Sequence, residues 1–128
     1  MDNLFIFEVI QMLGIKLPVE FRLRPVAKKT KDYRIKESAA WCETRCRKGI
    51  PYSFVIFVNM DICFQSQFHI NDVIAHELVH AIMLENGSFN EKKHHDKKFQ
   101  NTCNALEKNM RKKGFKIGKL YSPLTDTE

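Results

Sequence analysis

The amino-acid sequence predicts a single α+β domain in which one helix precedes three strands and two helices follow them. With 128 residues, the chain has room for one domain. Its composition, 44% apolar and 28% charged, is that of a folded globular protein rather than a disordered one. The hydrophobic pattern is helical at both ends and strand-like in the middle. We therefore expect one domain over residues 1–121 and a tail over residues 122–128.

The first element is predicted to be an amphipathic helix over residues 3–13. Its apolar side chains recur near helical spacing, and Gly14 is a suitable stop because glycine readily adopts the left-handed conformation. Val19–Arg24 then alternates apolar and polar side chains, as half-buried strands do, and Pro25 ends this strand.

Two further strands are predicted before the next helix. A weaker alternation over residues 33–46 indicates the second strand, and Ser53–Asn59 indicates the third most clearly, because it is a bounded run of β-branched and aromatic residues. Turn residues between them occupy positions 48–51. We expect the three strands to form a small, mostly antiparallel sheet.

The last two regular elements are predicted to be helices. The first runs from Val73 to Glu85, with Asn71 or Asp72 as its N-cap and Asn86-Gly87 as its stop. The second runs from about Glu91 to Lys113. Its apolar stripe consists of Phe99, Cys103, Leu106 and Met110, and the roughly opposite face carries Lys97, Asn101, Lys108 and Lys112. Residues 115–121 are predicted to add a short strand.

Positive charge is concentrated near the end of the chain. The net charge is +6, yet residues 91–119 alone hold ten basic and three acidic side chains, so the remainder sums to −1. A basic patch of this kind favours an acidic partner such as nucleic acid; the alternative is a solvated helix face that keeps the protein soluble.

Neither a secreted nor a membrane protein is expected. The N-terminal residues Asp2 and Glu8 are acidic and interrupt the pattern of a secretory signal, and no stretch approaches the roughly 20 apolar residues of a membrane span. Four cysteines are too sparse for a disulfide scaffold, and Cys42 and Cys46 are predicted to be ordinary thiols, buried or partly so. We expect an intracellular monomer in the cytoplasm or the nucleus or nucleoid, with no contact to membranes.

His76-Glu77-Leu78-Val79-His80 matches the pattern HExxH within a predicted helix. A spacing of four places both imidazoles on one helix face, where they can share a metal ion, and Glu77 can reach a water molecule beside that ion. The apolar flanks indicate a buried helix. Burying two imidazoles and a carboxylate costs several kcal/mol, which metal coordination offsets.

A catalytic zinc ion needs a third protein ligand, which must come from outside this helix. Met83 and Asn86 stand where the metzincin pattern has glycine and histidine, so that class is excluded. Imidazole is a common zinc ligand, and His94-His95 opens the next predicted helix. The candidates left open by the residues alone are His94, His95, Asp96, Glu91 and Glu85.

The string from His76 to Ile82, followed after a loop by His95 to Phe99, resembles the SprT-like (Spartan-related) zinc metallopeptidase family. That family places a histidine four residues before a phenylalanine, and His95 holds this position relative to Phe99. The resemblance implies a minimal zincin-like metallopeptidase domain with one Zn²⁺ held by His76, His80 and His95. Two departures stand out. Asp96 occupies a position where the family usually has glycine, and only Cys103 follows the site, so the four-cysteine zinc ribbon of many members is not expected.

As an enzyme, the chain is predicted to hydrolyse peptide bonds in a protein or peptide substrate. Zinc in such sites lowers the pKa of a water ligand toward about 7, and Glu77 is predicted to act as the general base. The substrate is expected to lie extended along a sheet edge. Candidates for a further oxyanion donor are Tyr52, Tyr121 and His94.

DNA is a further predicted partner, because the basic last helix could hold phosphates close to the active site, as expected of a protease that acts on DNA-associated proteins. The residues predicted to contact phosphates are Lys97, Lys98, Lys108, Arg111, Lys112 and Lys113.

Two alternatives to a DNA-linked SprT-like peptidase remain. One is another HExxH zinc hydrolase, such as an ImmA/IrrE-type protease or an amidase, with a different third ligand. The other is a non-enzymatic DNA-binding module with a structural zinc.

Overall fold

The computed structural model describes residues 2–24, 40–60, 69–88 and 92–120. These residues form three helices and three strands in the predicted order, so the α+β layout is confirmed. The elements are α1 (Asn3–Leu13), β1 (Val19–Arg24), β2 (Ala40–Arg47), β3 (Ile50–Asn59), α2 (Ile70–Glu85) and α3 (Lys97–Lys112).

The sheet is mixed, with strand order β1-β3-β2, whereas a mostly antiparallel sheet was expected. β3 pairs antiparallel with β2, because the turn at Lys48–Gly49 joins them directly. It pairs parallel with β1, with Val19 opposite Phe54. All of β2 lies between β1 and β3 in the chain, so the connection is long enough to bring β3 back in the direction of β1.

One face of the sheet packs against the helices. β3 is the central strand, and its residues from Phe54 to Asn59 are buried. α2 packs against β2 and β3, while α1 contacts both α2 and α3. The core therefore lies between the sheet and a layer of three helices. Its fully buried members include Val9, Ile56, Leu78, Phe99, Cys103 and Met110.

Local capping explains the bounds of α1. Asp2 accepts hydrogen bonds from the backbone N–H groups of Leu4 (3.1 Å) and Phe5 (3.2 Å), and Gly14 adopts φ 71° at the C-terminal end. Both the predicted helix over residues 3–13 and the predicted strand Val19–Arg24 are confirmed.

The predicted start of α2 was wrong. The helix begins at Ile70, with His69 at the N-cap and no side-chain cap. Asn71 and Asp72 lie inside the first turn, because distant backbone amides engage their side chains. Asn71 Oδ1 accepts from the N–H of Asp2 (3.0 Å), and Asp72 Oδ2 accepts from the N–H of Gly118 (3.1 Å).

The predicted start of α3 was also too early. Asp96 is the N-cap, and its Oδ1 accepts the N–H of Phe99 at 3.0 Å, so the helix begins at Lys97. The predicted apolar stripe is buried and the four polar residues predicted opposite it are partly or fully exposed. Residues 115–119 do not form the predicted strand. Glu91, Tyr121 and the predicted tail lie outside the described residues, as do residues 33–39 of the predicted second strand.

The cysteines carry free thiols where the structure describes them. Cys42 is half-buried and Cys103 is buried, but Cys46 is exposed, contrary to the prediction, because it lies at the end of the β2–β3 hairpin, where the neighbouring residues are exposed too. Within the described ranges, no helix combines the length and the apolar character needed to traverse a bilayer.

Candidate metal centre

α2 supplies two imidazoles from its buried middle. His76 and His80 are one turn apart, and their ring centroids are separated by 4.9 Å. Only 1% of the surface of His76 and 4% of that of His80 is exposed. Apart from Glu77, the residues from Val73 to Ala81 that surround them on α2 are apolar, and all of them are buried, which removes both rings from bulk water.

The third imidazole comes from the segment just before α3. The ring of His95 lies 4.9 Å from that of His76 and 5.1 Å from that of His80, measured between centroids. The Nε2 atoms of His80 and His95 are 3.2 Å apart. Nitrogen ligands at 2.0–2.1 Å from a tetrahedral zinc ion are about 3.4 Å from each other.

These three residues fit a small divalent cation. One ligand atom from each lies within 4.8 Å of the other two. Three imidazole nitrogens form a donor set that suits zinc and leave a fourth tetrahedral position for another ligand. The structure therefore brings together three histidines that can hold a metal ion.

A backbone carbonyl orients the first of these rings. Nδ1 of His76 donates to the carbonyl oxygen of Leu120 over 2.5 Å. A histidine that carries its proton on Nδ1 has a lone pair on Nε2. This contact therefore selects the ring form in which Nε2 of His76 can bind a metal.

Phe99 packs against all three rings. It is fully buried, its ring stacks on His80 with centroids 4.4 Å apart, and it lies 5.0 Å from His76 and 4.8 Å from His95. A rigid aromatic ring in this position restricts the rotation of the imidazoles. Phe99 is thus part of the site's support as well as of the apolar stripe of α3.

Glu77 places a carboxylate beside the imidazoles. The residue is 2% exposed, and its Oε2 lies 4.0 Å from Nε2 of His76. A carboxylate this close to a metal site is suited to exchange a proton with a water molecule there. The role of Glu77 as general base stays a prediction.

The other described candidates for the third ligand either lie away from the three histidines or have hydrogen-bond partners elsewhere. Oε1 of Glu85 accepts from the N–H groups of Lys16 (2.9 Å) and Leu17 (2.8 Å), so this carboxylate secures the connection after α1. Asp96 caps α3. The His94 ring lies 6.5 Å from that of His80 and is not in the converging group. Glu91 lies outside the described residues.

The predicted phosphate-contacting residues are all exposed, but two have partners within the chain. Arg111 donates to Glu107 and to the carbonyl of Ile117, each at 3.3 Å, and Lys113 lies 2.8 Å from Glu8. Among the proposed oxyanion donors, Tyr52 contacts Arg47. The guanidinium carbon of Arg47 lies over the Tyr52 ring, 5.6 Å from the centroid of that ring. Tyr121 lies outside the described residues.

The Leu120 carbonyl was not predicted from the sequence as part of the site, and Phe99 was predicted only as a core residue. The Leu120 carbonyl is a backbone group, so no side-chain pattern in the sequence could have indicated it. Phe99 was predicted as a core residue of α3, and its spacing from His95 was the one available signal of its second role.

Comparison with known proteins agrees with this site. The family model described as the SprT-like family matches residues 19–120, which is most of the chain. No curated protein and no solved structure matched the sequence. The matched range includes all three strands, the HExxH helix and the segment that carries His95. On this match, the chain belongs to the SprT-like family.

Proposed function

We propose that the protein is a zinc-dependent peptidase that hydrolyses peptide bonds in protein substrates. The observation that carries the proposal is the convergence of His76, His80 and His95 beside the buried carboxylate of Glu77. Among the described residues, three ligands converge, as at catalytic zinc sites with an open position, whereas structural zinc sites are usually closed by four protein ligands. Membership of the SprT-like family supports the same reading.

Each residue has a defined task in this proposal. A zinc ion, when bound, supplies Lewis acidity and lowers the pKa of water toward about 7. The three histidines hold the ion. Glu77 accepts a proton from the attacking water and delivers it to the leaving amine, a use of general acid–base catalysis worth roughly 10²–10⁴-fold in rate.

The substrate is proposed to bind in an extended form along β2. This strand lies at one edge of the sheet, with β3 on its other side, and α2 packs against it. An extended peptide can add to such an edge through main-chain hydrogen bonds. Recognition of this kind selects little between side chains, which suits a peptidase with varied protein substrates.

Replacing Glu77 with glutamine tests the peptidase directly. Glu77→Gln has nearly the same shape, so we expect zinc binding to be retained and cleavage of unfolded casein to fall by at least a hundredfold. Zinc content and product formation are measured on the same preparations, and a chelator-treated wild-type sample provides the control. A zinc-loaded wild-type protein that cleaves no protein or peptide would contradict the proposal and favour a structural zinc.

We further propose that the peptidase acts on proteins bound to DNA. Lys97, Lys108 and Lys112 are exposed and lie within about 60° of one another around α3, so they form a stripe about 22 Å long. We call these three residues the lysine stripe. Its first member, Lys97, follows His95 by two positions, so the stripe begins next to the candidate metal centre and runs away from it along α3.

The charge at the start of α3 also supports an anionic partner. Lys97 and Lys98 occupy the first turn, which has no acidic residue, although the helix N-terminus is itself electropositive. The Asp96 carboxylate at the N-cap offsets part of this positive charge, and a further anion would offset more. A DNA phosphate is such an anion, and helix N-termini commonly bind phosphate.

Salt dependence of DNA binding tests this part of the proposal. The double variant Lys108→Ala/Lys112→Ala should flatten the slope of log affinity against log salt by about 1.4–1.8, which corresponds to two lost phosphate contacts. Lys16→Ala, which removes an exposed charge beyond α1, is the control and should leave the slope unchanged. A wild-type affinity that does not vary with salt would contradict phosphate contact.

A further inference from the structure

The segment after α3 is irregular in backbone yet firmly attached. We call residues 115–120 the C-terminal strap. Its first ring, Phe115, meets Phe5 edge to face with centroids 5.9 Å apart, and its last side chain, Leu120, is fully buried in the core. Between them, the carbonyl of Ile117 accepts from Arg111 at 3.3 Å.

The strap is also tied to the helix that carries two of the histidines. Oδ2 of Asp72, in the first turn of α2, accepts the N–H of Gly118 at 3.1 Å. A Cβ atom at position 118 would lie 2.7 Å from that oxygen, so this close approach depends on glycine. Asp72 precedes His76 by one helical turn, so the two lie on the same side of α2.

Two residues beyond that contact, the strap reaches the metal site. The Leu120 carbonyl accepts the Nδ1 proton of His76, 44 positions away in sequence. The two contacts are therefore neighbours: four positions separate Asp72 from His76 on the helix, and two separate Gly118 from Leu120 on the strap.

We propose that the strap is a positioning element of the metal site, with Asp72 and Gly118 as positioning residues. Their hydrogen bond holds the Leu120 carbonyl against Nδ1 of His76 and so keeps the lone pair of the ring on Nε2, toward His80 and His95. An imidazole with its proton on Nε2 cannot bind a metal through that atom, and the strap removes this competing form. The inference rests on the proposed function only in taking the three histidines as metal ligands.

Three variants of the full-length chain test the strap by zinc affinity, measured by competition with a chromophoric chelator. Asp72→Ala removes the acceptor for Gly118 and is expected to weaken zinc binding about tenfold, the lower end of the loss that outer-shell partners cause. Asp72→Asn keeps an acceptor oxygen while removing the charge. It should stay within about twofold of wild type, which separates positioning from simple attraction between a carboxylate and a cation.

Asn71→Ala is the matched control. Asn71 is the neighbour of Asp72 in the same helical turn, and its side chain also accepts a distant backbone N–H, but that N–H belongs to Asp2. A general loosening of this turn would affect both alanine variants alike. We expect Asn71→Ala to retain the wild-type zinc affinity.

The ring form of His76 supplies a readout that mere destabilisation would not change. Long-range ¹H–¹⁵N spectra of the zinc-free protein distinguish a proton on Nδ1 from one on Nε2. We expect wild type and Asp72→Asn to show the Nδ1-protonated form, and Asp72→Ala to show a mixture. Should Asp72→Ala fail to fold, Gly118→Ala in the same chain carries the same expectation, because its methyl group separates the strap from Asp72.

The outcomes are separable from those of the proposed function. Wild-type zinc affinity together with a wild-type ring form in Asp72→Ala would overturn the inference. Equal losses of affinity in Asp72→Ala and Asn71→Ala would overturn it as well. A wild-type protein that binds no zinc would refute the proposed function, and the His76 ring form would still decide whether the strap controls that side chain.

Discussion

The Nε2 atoms of His80 and His95 lie 3.2 Å apart although fifteen positions separate the two residues in the chain. One belongs to the buried middle of α2 and the other to the segment just before α3. Phe99 packs against both rings and links this contact to the apolar stripe of α3. The metal centre is thus built on the packing of two helices, and its properties should respond to substitutions in that packing.

The two neighbouring histidines before α3 are predicted to differ sharply in zinc binding. His95→Ala should weaken zinc affinity by at least a hundredfold, more than the loss of an outer-shell partner, because it removes one of the converging nitrogens. His94→Ala should change it little, since that ring lies outside the converging group. Chelator competition measures both, and equal losses in the two variants would refute the assignment of His95.

Phe99→Leu should reduce both stability and zinc affinity. The substitution removes the ring that packs on the three imidazoles and is expected to cost about 1–2 kcal/mol of unfolding free energy. Phe54→Leu is the control, because Phe54 is equally buried but lies on β3. Thermal unfolding should respond to both variants and zinc affinity to Phe99→Leu alone; a comparable affinity loss in Phe54→Leu would contradict this role.

The N-cap of α3 is predicted to contribute to zinc affinity as well as to the stability of the helix. Asp96→Ala should cost about 1 kcal/mol and weaken zinc binding, because Asp96 directly follows His95 and sets the start of the helix. Asp96→Gly should cost only a few tenths of a kcal/mol relative to aspartate. Glycine and aspartate are both favourable N-cap residues, so this substitution separates the cap from the carboxylate.

Asp2→Ala provides the comparison for the cap, since Asp2 has the same role at α1. Its loss of stability should be similar, with zinc affinity unchanged. Denaturant unfolding and chelator competition on both variants decide the matter. The prediction is refuted if the two caps affect zinc affinity equally.

Cys103 is predicted to resist thiol reagents in the native protein. Burial, aided by the nearby charge of Glu107, raises the pKa of this thiol well above its ordinary value, so very little reactive thiolate forms at neutral pH. Cys46, which is exposed, should react readily. Alkylation followed by peptide mass spectrometry measures each site, and denaturant should abolish the difference. Rapid alkylation of Cys103 in the native protein would contradict this prediction and would show that the helices around it separate readily.

The contribution of the Asp72 carboxyl to the free energy of unfolding should decrease as pH rises. Burial raises the pKa of its carboxyl above 3.8, against the opposing effects of the Gly118 N–H, His69 and Arg111. The folded state therefore holds this proton more tightly than the unfolded state. The resulting stabilisation is complete below 3.8 and is lost as pH rises through the higher folded pKa.

Comparison with Asp72→Asn isolates this effect in the zinc-free protein. The stability of the variant relative to wild type should increase from pH 3.5 toward neutral pH, as followed by denaturant unfolding at each pH. Other carboxyl groups contribute equally to both proteins and cancel in the difference. A difference that does not change with pH, or that changes in the opposite direction, would contradict the raised pKa.

Local patterns accounted for much of the fold. The bounds of α1, its stop at Gly14, the strand Val19–Arg24 and the buried stripe of α3 agree with the sequence-based predictions. Each depends on neighbours within about four positions, through side-chain periodicity or a cap. The start of α2 was misplaced because Asn71 and Asp72, which can cap helices, bind backbone N–H groups that only the folded chain supplies. The start of α3 was misplaced because the local cap at Asp96 was overlooked.

The sequence by itself determined that His76 and His80 share one face of a buried helix with Glu77 beside them, since a spacing of four within an apolar run leaves little choice. The choice of His95 over His94 came from the family resemblance, and the convergence of three histidines agrees with it. Only the tertiary structure decided that β1 runs parallel to β3 and that a backbone carbonyl at Leu120 orients His76. These features depend on where the chain reverses and how its elements pack. Such long-range contacts leave no periodic trace in the order of the residues.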